Sequence, residues 1–201
     1  GLGGDRNKSR HRRPDRFCGE KCGAGGEKGK ARWSLEEWAL LSQIGTMRGF
    51  SNAPRTSSMP QTFSKFGISF LYPDNWTLDE TRAEGEAESA TVYSPGGAFW
   101  SISVHPPSAD PVRLAEAAVG AMRAEYSDLE QESSYQLVDG RKVHGFDLAF
   151  YYLDLTNSAF VRSFRTPVAT YVLFYQAEDR EYGQLEQVFA AITKSFFDCL
   201  Q

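Results

Sequence analysis

Hydrophobic and polar residues follow two different periods along residues 63–198, and these periods predict strands and helices. From residue 98 to 105, apolar and polar side chains alternate, which predicts a half-buried strand with one apolar face. From about residue 180 to 196, apolar side chains recur at the spacing of a helix; they are Leu185, Val188, Phe189, Ile192 and Phe196. Both patterns belong to elements with one buried face, so this segment predicts a packed domain.

An earlier amphipathic helix is predicted from residue 110 to about residue 125. Asp110 is a suitable N-cap, and Pro111 suits the first helical turn because the N–H that it lacks would be unpaired there. The core candidates at helical spacing are Leu114, Ala118, Ala121 and Met122.

Short apolar runs separated by turn residues predict the other strands. Their bounds are about 68–72, 76–82, 90–93, 129–138, 141–155, 159–166 and 170–176. The turns between them are predicted at 73–75, at 94–97, at Asp139-Gly140 and at Thr156-Asn157-Ser158. Successive hairpins imply antiparallel pairing, because parallel neighbours need long crossovers. The predicted fold class is therefore α+β, with an antiparallel sheet covered by two amphipathic helices.

The first 60 residues differ in composition and are predicted to form a basic extension. Residues 1–32 are rich in Gly, Lys and Arg and poor in aliphatic side chains, which predicts disorder because little apolar surface can be buried. Ser34 and Glu37 have the spacing of a capping box, which allows a short helix over 34–44. The predicted division is an extension over 1–60 and one domain over 61–201.

The composition is that of a globular protein, but its charge is divided unevenly. The chain has 201 residues, with 41% hydrophobic and 13% aromatic residues and a formal net charge of −4. Residues 1–60 hold 12 Lys and Arg against 6 Asp and Glu, and the rest holds 10 against 20. A basic tail on an acidic domain can bind nucleic acid or an anionic surface, or can stay a solvated extension near its own domain. Both alternatives stay open.

Signals for membrane insertion or secretion are not visible in the sequence. The apolar runs are too short for a membrane span, and no basic segment precedes the apolar run of a secretory signal. Three cysteines, Cys18, Cys22 and Cys199, do not indicate a disulfide scaffold in a chain of this length. These features predict a cytoplasmic location. A removed segment upstream of Gly1 stays open, and translation from an internal methionine such as Met59 would remove the extension.

Two stretches of the sequence resemble PsbP-like proteins. The run from Phe66 to Trp76, FGISFLYPDNW, is similar to the opening strand and turn of that group. Strand 171–174, the acidic pair at 178–179 and the helix that follows are similar to its close. The resemblance covers about residues 63–198 and implies an α/β/α sandwich with a role in binding or assembly instead of catalysis.

The PsbP-like group shares its fold with the yeast Ran-binding Mog protein and with small bacterial DcrB-type proteins. One member supports photosystem II and another binds a small GTPase. The matching residues of this sequence are packing and turn residues, so they do not identify either partner. The basic extension also departs from the signal or lipoprotein segment that is usual in the group.

Cys18, Cys22 and His11 are weak candidates for a metal site. Zinc takes four ligands, typically as two close pairs. One Cys pair is present, so a site would need His11 and either Cys199 or a second chain. The alternative is free thiols in the extension. No metal or cofactor is predicted.

The histidines of the domain do not indicate catalysis. His144 and Asp147 are three residues apart on a predicted strand, so their side chains should point to opposite faces. His105 shares a strand face with Ser101 and Ser103, but Ser/His catalysis also needs an orienting group and an oxyanion site. We expect His105 to be a surface histidine near a loop, and we predict no enzyme activity.

Basic and aromatic side chains alternate on the strand that contains Arg162. Arg162, Phe160 and Phe164 share one face of this strand. Such a face can bind nucleic acid or an acidic partner, or can form cross-strand ion pairs. Tyr151 and Tyr171 on neighbouring strands are typical either of a sheet core or of a protein-contact rim.

These features lead to two functional hypotheses. The first is a non-enzymatic binding or accessory module that docks an unknown protein partner on its open sheet face. The second is a carrier of a small ligand or lipid, with a cavity between the sheet and the helices.

Overall fold

The computed structural model describes residues 59–82 and 87–200. Its strands are β1 (Gln61–Lys65), β2 (Ile68–Tyr72), β3 (Thr77–Thr81), β4 (Glu88–Tyr93), β5 (Phe99–His105), β6 (Glu130–Val138), β7 (Arg141–Tyr152), β8 (Leu155–Arg165) and β9 (Thr170–Glu178), and its helices are α1 (Pro111–Glu125) and α2 (Asp179–Asp198). β1 and β2 form a hairpin, and the other strands form a seven-stranded sheet in the order β3-β4-β5-β9-β8-β7-β6. All neighbouring strands pair antiparallel, which confirms the predicted α+β class.

A hydrophobic core lies on each face of the sheet. On one face α1 packs over a core that contains Phe150 and Phe174. On the other face α2 packs against β2, β8 and β9, over a core that contains Trp100 and Phe196. The indole N–H of Trp100 donates a hydrogen bond to the hydroxyl of Thr193 on α2, at 3.0 Å. The result is the α/β/α sandwich that the resemblance implied.

The start of α1 follows the predicted capping residues. The Asp110 carboxylate accepts a hydrogen bond from the backbone N–H of Val112 at 3.0 Å, and Pro111 occupies the first turn. The buried stripe contains Leu114, Ala115, Ala118, Val119 and Met122. Ala121 was a predicted core residue and is only half-buried, because it lies at the edge of this stripe.

The hairpin turns show where the sequence pattern succeeds and where it misleads. Asp139-Gly140 joins β6 to β7 as predicted, with φ of +49° and +75°. The turn predicted at 156–158 is wrong: Leu153 and Asp154 form it, with φ of +49° and +61°, and residues 156–158 pair with β7. A two-residue turn with positive φ matches the right-handed twist of the strands even when its residues are not Asn-Gly or Asp-Gly.

β1 lies at the start of the predicted 61–201 domain, ahead of the first strand that the sequence pattern predicts at about 68–72. It pairs with β2 across a turn at Phe66-Gly67, where φ is +57° and +71°. Phe63 is its one buried residue. A five-residue strand with a single apolar side chain gives almost no alternation to detect.

Several sequence predictions fall outside the described residues. These are the disorder of residues 1–32, the short helix over 34–44, and the metal candidates His11, Cys18 and Cys22. Within residues 59–82 and 87–200, no helix is long and apolar enough to cross a membrane. In the same two ranges, no group of three or more His, Cys, Asp and Glu side chains could hold a metal ion.

Candidate functional site

The sheet is open to solvent at the end that carries β6. In this nine-residue strand, Ser134 and Val138 are partly buried and the other residues are exposed. The helices cover the middle of the sheet on both faces, since their contacts concentrate on β7, β8 and β9 for α1 and on β2, β8 and β9 for α2. The sheet is therefore exposed at its ends instead of over a whole face, since β3 at the opposite end is also mostly exposed.

A cavity of about 480 Å³ lies between α2 and the open end of the sheet. The β6–β7 hairpin contributes Val138 and Val143, the middle strands contribute Arg162 and Tyr175, and α2 contributes Tyr182 and Phe189. Its walls are mixed, with more apolar than polar surface, and Gln136 and Thr193 also line it. Charged side chains at its edge are Asp139, Glu186, Lys194 and Asp198.

Arg162 is the charged residue of the cavity that comes from the middle of the sheet. Its side chain is only 10% exposed, and its guanidinium donates hydrogen bonds to the carbonyl oxygens of Phe146 at 3.0 Å and Val161 at 2.9 Å. It also pairs with the carboxylate of Asp147, and it lies 5.6 Å from the centre of the Phe160 ring. These contacts satisfy the buried charge and hold the guanidinium in one position.

Gly145 leaves the space that the Arg162 side chain occupies. A Cβ at residue 145 would lie 2.1 Å from the Val161 carbonyl oxygen and 2.8 Å from Cδ of Arg162. Gly145 and Arg162 face each other across the β7–β8 pair. Any side chain at residue 145 would therefore displace the neighbouring strand and with it the arginine.

Two tyrosines and a phenylalanine form an aromatic stack beside Arg162. The ring of Phe160 stacks on Tyr175 at 4.9 Å and on Tyr182 at 5.0 Å. Burial raises the pKa of Tyr175 to about 12, and burial also raises the pKa of Tyr182. Both hydroxyl groups therefore stay protonated at physiological pH and can donate hydrogen bonds.

The structure separates the five predicted binding residues into three groups. Arg162 lines the cavity and Phe160 packs beside it. Phe164 and Tyr171 are buried in the core beneath α2, at 0% and 2% exposure, so they present no surface to a partner. Tyr151 is exposed at the far end of β7 and does not line the cavity.

Sequence reasoning missed the contribution of α2 to this site. Tyr182 and Glu186 lie one turn apart on that helix, on the side that faces the cavity. Their spacing is the only sequence signal, and a polar residue at helical spacing is usually solvated. Because Tyr182 and Glu186 lie far from Arg162 in the sequence, no local pattern indicates that they meet it in the fold.

His105 is buried, so its prediction as a surface histidine is wrong. It is 3% exposed, and its Nε2 lies 2.9 Å from the Ser103 hydroxyl, at hydrogen-bond distance. The strand pairing of β5 with β9 places it inside the sheet, opposite the fully buried Thr170. Burial lowers its pKa to about 4. The imidazole of His105 is therefore neutral and is enclosed by the packing of the sheet.

We expect the domain to lose stability as the pH falls from 6.5 toward 4. Folded His105 stays neutral down to about pH 4, whereas a histidine in the unfolded chain takes up a proton near pH 6.5. The folded state therefore binds fewer protons in this window. The free energy of unfolding should be lower by about 2 kcal/mol at pH 5 than at neutral pH. Chemical denaturation at a series of pH values measures this slope.

The control for this pH dependence is the same substitution at two histidines. His105→Gln should flatten the slope between pH 6.5 and 5, because the residue that titrates differently in the two states is gone. His144→Gln should retain it. A slope that is equally steep in His105→Gln and in the unchanged protein would contradict the assignment.

His144 and Asp147 lie on opposite faces of β7, as predicted. His144 contacts the ring of Tyr135 at 5.2 Å and lines a smaller cavity of about 230 Å³ beneath α1. Asp147 pairs with Arg162 on the α2 side. The two residues cannot act as an acid–base pair in this fold.

Solved structures of other proteins are similar to this chain to different degrees. The domain is similar to cyanobacterial PsbP from Synechocystis sp. PCC 6803, with a TM-score of 0.50 and 14% identity, over 73% of this chain and 96% of that chain. LpqN of Mycobacterium tuberculosis, which is involved in cell envelope biogenesis, is 16% identical with a TM-score of 0.36, over 69% of this chain and 83% of that chain. A Pseudomonas aeruginosa protein of unknown function is 12% identical with a TM-score of 0.39, over 68% of this chain and 94% of that chain.

The sequence itself gives no comparable match, because no protein-family model and no curated protein matches it. The TM-score of 0.50 over nearly the whole length of the cyanobacterial protein supports a shared fold, and at 14% identity it supports nothing finer. The resemblance in the opening strand, the turn and the final helix is thus matched by the architecture. The domain of this chain has the PsbP-like fold.

Proposed function

We propose that this domain is a non-enzymatic binding module that holds another protein at the open end of its sheet, with a partner side chain in the cavity beside α2. The observation that supports this most is the position of the cavity, which lies between α2 and the exposed β6–β7 end of the sheet. A partner could therefore contact the exposed strand and insert a side chain at the same time.

The residues of the cavity have the composition of a protein-binding site. Tyrosine and arginine are enriched at the centres of protein interfaces, where they combine apolar area with hydrogen-bonding capacity. Here Tyr175, Tyr182 and Arg162 lie together, and their positions are fixed by stacking and by the ion pair with Asp147. A fixed site loses little conformational entropy when a partner binds.

The charges of the cavity indicate the chemistry of the partner. Arg162 is compensated by Asp147, and Lys194 is compensated by Asp198 through hydrogen bonds of 2.8 and 2.6 Å. Asp139 and Glu186 remain as additional acidic groups at the edge. The partner segment that fits best carries an apolar side chain for the cavity and a basic group beside it.

We expect Ala190→Trp to abolish retention of the partner, because Ala190 lines the cavity and an indole there would fill it. The measurement is a pull-down from the natural host with the full chain. Proteins retained by the unchanged chain and lost with Ala190→Trp are the specific partners.

Ala191→Trp is the matched control for this experiment. Ala191 is exposed on the same helix and is not among the residues that line the cavity. Retention should therefore be unchanged. Equal retention by the unchanged chain, Ala190→Trp and Ala191→Trp would count against the cavity as the binding site.

A small apolar ligand or lipid is the second candidate occupant, and the volume of the cavity favours it. Small-molecule sites typically measure about 300–1,000 Å³, and this cavity falls within that range. Native mass spectrometry of the full chain from its host would then show an added mass that Ala190→Trp removes. A ligand-free mass from several hosts would exclude this candidate.

The extension and the cellular location remain predictions. Binding of nucleic acid or an anionic surface through the extension concerns residues 1–58, which are outside the described residues. A cytoplasmic location is likewise a prediction from the sequence.

A further inference from the structure

The outer edge of β6 is an open template for another strand. All nine residues of β6 pair with β7 in an unbroken register, from Glu130 opposite Ala149 to Val138 opposite Arg141, so no bulge interrupts the edge. The strand contains no Pro, Lys or Arg, and most of it is exposed. Edge strands are usually protected by bulges, by proline, by lysine or by short length, and β6 has none of these features.

The opposite edge of the sheet differs from β6 in its length and in its proportion of charged residues. β3 has only five residues and two of them are acidic, whereas the two glutamates of β6 belong to a strand of nine residues. Glu80 of β3 also pairs with Lys65, which belongs to the β1–β2 hairpin. Short length and a high proportion of charged side chains discourage strand addition. The contrast singles out β6.

We propose that β6 pairs antiparallel with β6 of a second copy of this chain, about a two-fold axis, so that the sheet continues across a homodimer. The register that uses all nine residues is centred on Ser134. Ser134 then faces Ser134 of the second copy, and Glu130 faces Val138. Such an interface is self-complementary and closed, so it yields a dimer and not a fibre. It does not depend on the proposed function, because the second copy pairs with the outer edge of β6, whereas the cavity lies between α2 and the face of the β6–β7 hairpin.

The charges of the β6–β7 hairpin favour this antiparallel arrangement. Glu130 and Glu132 lie at one end of β6, whereas Arg141 and Lys142 lie at the other end of the hairpin. Antiparallel pairing brings the acidic end of one copy to the basic end of the other. Parallel pairing would place the glutamates opposite one another, which is destabilising.

Two exposed apolar side chains would also be covered by the second copy. Tyr135 and Leu137 are 58% and 68% exposed. In the proposed register Leu137 lies opposite Gln131 of the second copy, and Tyr135 lies diagonal to the second Tyr135. Diagonal neighbours are about 7–8 Å apart, which aromatic side chains can span. The edge therefore supplies apolar contact together with backbone hydrogen bonds.

Sedimentation equilibrium of the full chain, at a series of concentrations, tests this proposal. We expect a species of twice the 22.5 kDa chain mass. Ser134→Lys should raise the dissociation constant of the dimer by at least about tenfold, because two lysines would face each other at the two-fold axis. Ser134→Glu alone should also raise the dissociation constant of the dimer, because two glutamates would then face each other. An equimolar mixture of the two variants should restore the dimer, because Lys then faces Glu.

The mixture also guards against loss of folding, since an unfolded variant could not be rescued by its counterpart. Thr77→Lys on β3 is the control, and it should leave the dimer unchanged. A chain that is monomeric at every concentration would overturn the proposal. So would a dimer that is as tight in Ser134→Lys as in the unchanged chain, or a mixture that stays monomeric.

Discussion

Phe164→Ala is expected to lower the free energy of unfolding by about 3–5 kcal/mol. Phe164 is fully buried on β8, and its ring stacks on Phe197 at 4.9 Å and packs on Tyr171 at 5.3 Å and Phe196 at 6.1 Å. Truncation removes the ring at the centre of the contact between the sheet and α2. The surrounding rings come from β9 and α2, which are held by their own packing and cannot both move to close the space. Urea denaturation followed by circular dichroism measures the loss.

Tyr151→Ala is the matched control for Phe164→Ala. Both residues are aromatic and both were candidates for a docking surface, but Tyr151 is 61% exposed. Its truncation should change the free energy of unfolding by no more than about 0.5 kcal/mol. If Phe164→Ala is as mild as Tyr151→Ala, the assignment of Phe164 to the core is incorrect.

Gly145→Ala should destabilise the domain by about 3 kcal/mol, the upper part of the usual range for overpacking. The new Cβ would lie 2.1 Å from the Val161 carbonyl oxygen, which is a backbone atom and cannot rotate away. Relief requires β7 and β8 to separate. That separation would weaken the hydrogen bonds from Arg162 to the carbonyl oxygens of Phe146 and Val161. Denaturant unfolding gives the change in stability.

Gly120→Ala tests whether the effect at Gly145 is steric. Gly120 is exposed on α1, and a Cβ there would have no neighbour within 4 Å. Alanine is the better helix former, so this change should stabilise the domain by about 0.5–1 kcal/mol. Changes of the same sign and size in the two variants would contradict a clash at Gly145.

The elements that the sequence predicts well are those whose signals are local. Asp110 and Pro111 mark the start of α1, and Asp139-Gly140 marks the β6–β7 turn, because capping and turn formation depend on a few adjacent residues. The apolar stripe of α2 was also predicted, and Phe189, Ile192 and Phe196 are buried as the helical period requires. Local signals with a repeating period were sufficient for the fold class.

The features that the sequence did not reveal depend on contacts between distant segments. The Leu153-Asp154 turn is set by the pairing of β7 with β8, although Thr156-Asn157-Ser158 has the better turn composition. His105 is buried because β9 lies beside it. The alternation of apolar and polar residues along one strand does not show which polar side chains will be covered by neighbouring elements.

The candidate site could be predicted only in part for the same reason. Arg162 and Phe160 were identified from their alternation on one strand. Tyr182 and the other cavity residues of α2 meet them only after the final helix packs on the sheet. No local sequence pattern encodes a cavity between elements that lie far apart in the sequence.

Site-specific photo-crosslinking at the cavity edge tests the binding-module account most directly. A photoreactive residue in place of Ala190 or of Ala191 would be introduced into the full chain in its natural host, and the products identified by mass spectrometry. The account predicts that residue 190, which lines the cavity, crosslinks to one defined partner and that residue 191 does not. The same crosslinks from both positions, or none from residue 190, would contradict it.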